Sequence, residues 1–215
     1  MIDGAVKYGN STVCFYMSGP GKDQAEFKRE CDKFCAFHAV PKSNVFAIMA
    51  NQPTESRRAS VMNAISKIHH CSRFVYFGHG WKTGIQLGWN LVNCWELIDK
   101  LKASRASDED SSVVVLYACS TADGAIAAPD DLVGTQGGFA DKLRDCMHAR
   151  NMNGRVMAHR TAGHTTWNPY AVFMESSSGS RDETYGVVEP GSCDWKRWIK
   201  RMKTEFRYAM PFMLE

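Results

Sequence analysis

The sequence predicts an α/β domain built on a largely parallel β-sheet covered on both faces. Two observations carry this. Short apolar runs (TVCFYM, VFAIMA, FVYF and VVVLYA) recur along the chain, and longer stretches with apolar residues at helical spacing separate them. A strand that is apolar throughout, rather than alternating, is buried on both faces, which is the pattern of a parallel sheet. The intervening helices then serve as crossovers, which are right-handed.

Each element has its own signal. Thr12–Met17 is a strand ended by the turn Ser18-Gly19-Pro20-Gly21. Residues 22–37 place Phe27, Cys31, Phe34 and Cys35 on one helical face. Val45–Ala50 is a second strand, and Pro53-Thr54 opens a helix to about Ile68. Phe74–Phe77 is a third strand and ends in Gly78-His79-Gly80. A helix is expected over Leu91–Leu101, from Leu91, Trp95, Leu97, Ile98 and Leu101. Val113–Ala118 is a fourth strand and the most continuous apolar run. A helix over 139–149, strands over 155–158 and 170–175, and a final helix over 194–210 complete the chain. No internal repeat or linker divides it, so residues 1–215 read as one domain.

Composition supports a globular chain and excludes several others. The 215 residues are 44% hydrophobic and 23% charged, enough to bury a core without disulfides. A net charge of +3 is too mild to imply nucleic acid. The basic stretch Lys196–Lys203 reads as the solvated face of the last helix rather than a membrane surface. No run approaches a membrane span, and no signal peptide is evident. A reducing cytoplasm is the expected compartment, and export without a classical signal would leave no trace here. The eight cysteines are irregularly spaced and several lie in apolar runs, so most are expected to be reduced core thiols.

Two strand ends carry chemistry. In open α/β sheets, sites form beyond the carboxyl ends of strands. His79 leaves the third strand between two glycines, which are expected to let the chain turn sharply. Histidine is the side chain best suited to serve as a base near neutral pH. Cys119 ends the fourth strand, between the small residues Ala118 and Ser120. If these strands are neighbours, both side chains leave the sheet at one edge. A histidine base and a cysteine nucleophile then form a dyad for acyl transfer. The backbone N–H groups of Gly80 and Cys119 are the natural oxyanion donors.

An apolar strand ending in His-Gly, followed forty residues after the histidine by a strand ending in Ala-Cys, resembles the caspase-like cysteine peptidases. The block LYACSTA is similar to the CHAT and separase branches of that group. The resemblance covers roughly residues 11–175. It implies a three-layer fold with a six-stranded sheet, five strands parallel and the last antiparallel. It also implies a Cys-His dyad of Cys119 and His79, with Gly80 in the oxyanion hole, acting on a protein or peptide substrate. Two departures matter. Caspases carry Gln-Ala-Cys where this chain has Tyr117-Ala118-Cys119, and clostripain-like enzymes carry an acid where Tyr117 stands. Neither strict Asp nor clostripain-type Arg specificity therefore follows.

Other expected substrate contacts are Tyr117, Asp123, Asp130, Asp131 and Trp167, with one of the acids able to meet a basic P1 side chain. His164 is a rival base without the strand-end setting. Cys31-x3-Cys35-x2-His38 invites a zinc reading, but no second ligand pair has convincing spacing, so a core face is expected, with no metal or cofactor. The acidic run Asp108–Asp110 reads as solvated loop rather than a calcium site. The rival functional class is a caspase-like binding or scaffold module without turnover. A regulatory partner or larger assembly fits either class.

Overall fold

The computed structural model describes residues 9–107, 111–124, 137–162, 171–176 and 184–185. The expected helix over 194–210, with its basic face, and the 108–110 acidic run lie outside them.

The chain is α/β. Its main strands are β1 (Thr12–Ser18), β2 (Val45–Met49), β3 (Arg73–Phe77), β6 (Ser112–Tyr117), β7 (Gly154–His159) and β8 (Ala171–Glu175). Two-residue strands β4 (Gly80–Trp81) and β5 (Gly84–Ile85) form a hairpin, and β9 is Thr184–Tyr185. The helices are α1 (Lys22–Phe37), α2 (Thr54–Lys67), α3 (Trp95–Ser104) and α4 (Phe139–Ala149). The sheet order is β2-β1-β3-β6-β7-β8-β9. The first five strands of this order are parallel, and β8 runs antiparallel to β7. The expected arrangement of six main strands is therefore observed. The short β9 adds an antiparallel edge that no apolar run announced.

Burial explains the pattern. All six residues of β6 are buried, as a central strand of a sheet covered on both faces requires. The crossover from β1 to β2 runs one way across the sheet and that from β2 to β3 runs back. Right-handed connections therefore put α1 and α2 on opposite faces. Helix α1 buries Phe27, Cys31, Phe34 and Cys35 at i, i+4, i+7 and i+8. Phe34 lies 5.8 Å from Phe77 and 6.0 Å from Tyr117, ring centre to ring centre. Those two rings stack at 4.7 Å across β3 and β6, a pairing worth about 0.5–1.5 kcal/mol beyond the area it buries.

One helix starts later than its periodicity predicts. Helix α3 begins at Trp95, not Leu91. Asn90 and Asn93 cause the delay. The Val92 N–H donates to Asn90 Oδ1 at 2.8 Å, and the Asn90 N–H donates to Asn93 Oδ1 at 2.7 Å. Asparagine side chains that capture local N–H groups hold a turn in place of a helical start.

Candidate active site

The site is built from the carboxyl ends of β3 and β6. These strands are parallel neighbours, with Phe77 opposite Tyr117. The ladder continues one residue further, where the Gly78 N–H donates to Tyr117 O at 3.3 Å. His79 and Cys119 therefore stand at matching positions, two residues past the last paired residues. The sheet order also reverses here, since the chain turns from β1 outward to β2 and returns to β3 on the other side. The loops after β1 and β3 diverge at such a switch point, and clefts form there.

His79 is held on several sides. Its ring meets Phe27 of α1 edge to face, with centroids 4.9 Å apart and planes at 88°. Its Nε2 lies 3.8 Å from Asp23 Oδ2, where α1 begins. Asp23 is 57% exposed, so water screens the pair and its main effect is to bias the ring's orientation. The His79 carbonyl accepts two bonds, from Tyr76 Oη at 3.0 Å and from the Gln86 N–H at 3.0 Å. Burial pushes the Tyr76 phenol up, so it remains a neutral donor. The imidazole itself is 38% exposed. Asp23, Phe27 and Tyr76 were not anticipated from the sequence. The first two are more than fifty positions away, and nothing local marks them.

The flanking glycines serve a purpose other than the one expected. Neither Gly78 nor Gly80 has a positive φ. They are small because space is short. A Cβ on Gly78 would sit 2.1 Å from Tyr76 Oη and 2.6 Å from Met17 Cγ. A Cβ on Gly80 would sit 2.6 Å from Thr121 Cγ2, 2.8 Å from Ala118 Cβ and 3.3 Å from Cys119 O. Gly80 thus lets the β4 backbone lie directly against the Cys119 loop. The bond from Gln86 N–H to His79 O makes residues 79 and 86 the hydrogen-bonded pair of the hairpin, so Gly80 and Ile85 are the other kind of pair. The Gly80 N–H therefore points away from β5, as an oxyanion donor must.

Cys119 stands apart from the other described cysteines. It is partly exposed, whereas Cys14, Cys31, Cys35, Cys71, Cys94 and Cys146 are buried. None of these seven forms a disulfide. The next residue, Ser120, has φ +52°, a left-handed conformation that a side chain adopts only when its surroundings impose it. Those surroundings are visible. Ser120 N–H donates to Thr161 O at 3.0 Å, and Ala122 N–H donates to His159 O at 2.9 Å. The Thr121 hydroxyl donates to Ala118 O at 3.3 Å. The loop that carries Cys119 is pinned to the end of β7 in a strained turn.

The remaining expected contacts divide. Tyr117 is fully buried, with His159 5.8 Å away and Phe77 stacked on it. This corrects the expectation of a substrate contact. An in-register position on the central strand sends its ring into the core beneath α1. Asp123 is partly exposed, in the turn closed by its N–H to Ser120 O at 3.1 Å. Asp130, Asp131, Trp167 and the rival His164 lie outside the described residues. Trp81, two residues past His79 on β4, is 47% exposed and was not anticipated. No described helix is long and apolar enough to cross a membrane. Comparison with known proteins yields no relative: no family model, no curated protein and no solved structure matches the chain.

Proposed function

We propose that the chain is a caspase-like cysteine endopeptidase that works with a His79–Cys119 dyad. The observation that carries this reading is the parallel pairing of β3 and β6, which sets the histidine and the single partly exposed described cysteine at matching places on one sheet edge.

In this reading the Cys119 sulfur attacks the scissile carbonyl and forms a C–S bond, while its proton passes to the His79 imidazole. The carbonyl oxygen becomes an oxyanion, met by the N–H groups of Gly80 and Cys119. The tetrahedral intermediate collapses, the C–N bond breaks, and His79 protonates the departing amine. Water, deprotonated by the same imidazole, then attacks the thioester and returns the thiol. Phe27 and Tyr76 hold the ring and backbone of His79 through both halves. Asp123 and Trp81 are the described rim residues offered to the substrate chain. A reducing cytoplasm suits a protein that needs Cys119 as a thiol.

The test is cleavage of a peptide library by the wild type, Cys119→Ala and His79→Ala. Cleavage should disappear in both variants, and the wild-type products should define the P1 residue. Undiminished cleavage by Cys119→Ala would sink the reading. A folded wild type that cleaves nothing would favour the binding-module class.

A further inference from the structure

Three more cysteines meet in a place the proposed mechanism does not use. Cys14 lies on β1, and Cys31 and Cys35 lie one helical turn apart on α1. Where α1 covers β1, their three sulfurs all lie within 4.8 Å of one another. The Cys31 and Cys35 sulfurs are 3.9 Å apart. Cys14 and Cys31 are fully buried, and Cys35, at 8% exposure, forms the mouth of the cluster.

We propose that Cys14, Cys31 and Cys35 form a binding site for a soft, closed-shell monovalent cation of the copper(I) class. The spacing fits. Metal–sulfur bonds of about 2.3 Å in a trigonal plane place the sulfurs about 4.0 Å apart. The observed 3.9 Å edge already meets that value. The other edges need to contract by less than about 1 Å, which side-chain rotation supplies without backbone movement. The donor set selects the ion. Zinc closes structural sites with four ligands, whereas this cluster offers three, all sulfur, and sulfur ligands favour monovalent copper.

On binding, each sulfur donates an electron pair to the ion, and any thiol proton that is displaced leaves to solvent. Occupancy would fasten α1 to β1, and α1 is the helix that sets Asp23 and Phe27 against His79. The second close pair, Cys94 and Cys146 with sulfurs 3.8 Å apart, offers two ligands and serves as a control.

The test uses the full chain carrying Cys119→Ala, so that the exposed thiol does not compete. Copper(I) is supplied under reducing, anaerobic conditions against a coloured chelator. One equivalent should be retained, with an all-sulfur shell by X-ray absorption and a raised thermal midpoint. Cys35→Ser, at the least buried of the three positions and confirmed folded by circular dichroism, should weaken retention by about tenfold or more. Cys94→Ser should leave it unchanged. Absence of a retained equivalent would overturn the proposal. So would a shell of nitrogen or oxygen, or undiminished retention in folded Cys35→Ser. If Cys14→Ser or Cys31→Ser fails to fold, the wild-type absorption spectrum and Cys35→Ser still decide.

Discussion

The loop after β6 and the seam between β1 and α1 use the same amino acid in opposite ways. Cys119 is partly exposed, lies just past a strand end and is followed by a strained Ser120. Cys14, Cys31 and Cys35 are buried, with their sulfurs within 4.8 Å of one another, and set in regular structure. The buried single thiol of Cys71 is a third setting, where burial pushes its ionisation up to about 12. The setting of each thiol therefore follows its position in the fold. A strand end leaves Cys119 partly exposed, while a helix–strand seam packs Cys14, Cys31 and Cys35 together.

The sharpest way to break this contrast is to delete the sulfur on each side. Cys119→Ala should abolish peptide cleavage, a loss on the order of 10⁴-fold or more in kcat. Its stability should move by less than about 0.5 kcal/mol, because the side chain is partly exposed. Cys71→Ala should do the reverse, costing about 1 kcal/mol in a urea titration and leaving kcat in place. If both variants lost activity equally at constant stability, the division of roles would be wrong.

Gly80→Ala tests the contact between the hairpin and the loop that carries Cys119. The added methyl would meet Thr121 and Ala118 at less than 3 Å. Relieving such overpacking costs about 1–3 kcal/mol, and the shift should also lower kcat by about a hundredfold. Full activity in Gly80→Ala would mean that the backbone there takes no part in catalysis.

Asp23→Asn should have a smaller effect, below about tenfold in kcat, because the carboxylate is exposed and screened. Cleavage rates of the folded variant on a peptide substrate measure it. An unchanged kcat would assign Asp23 no share in orienting His79.

The smallest expected effect is on the pH dependence of stability. Burial raises Cys71 from 9.0 to about 12 in the folded chain, so the unfolded chain ionises first. Its stabilising contribution is complete below about pH 9 and is lost as pH rises toward about 12. The slope is at most about 1.4 kcal/mol per pH unit for this one group. Urea midpoints between pH 8.5 and 11, chosen to span the window from about 9 upward, should therefore fall less steeply in Cys71→Ala than in the wild type. Parallel slopes would place the alkaline sensitivity elsewhere, on the buried phenols of Tyr76 and Tyr117.

Much of the architecture was legible from local pattern. Continuous apolar runs identified the main strands, because a strand buried on both faces has no reason to alternate. The Phe27–Cys31–Phe34–Cys35 spacing identified the inner face of α1, since 3.6 residues per turn bring those positions together. Local pattern misread Leu91–Cys94 as helix, because periodicity does not report that Asn90 and Asn93 capture the N–H groups a helix would use. It also offered Tyr117 to the substrate, because a sequence does not state which face of a central strand the α1 aromatics will cover.

By itself, then, the sequence determined which segments are the main strands, and that His79 and Cys119 each follow one. Hydrophobic periodicity and turn chemistry are local, so both are readable in order along the chain. Only the tertiary structure decided that β3 and β6 are neighbours in register. It also decided that Gly80 is needed for close approach rather than for a left-handed turn, and that Cys14 joins Cys31 and Cys35. Those facts depend on strand order and on which helix covers which face. Both are set by the burial of the whole sheet at once.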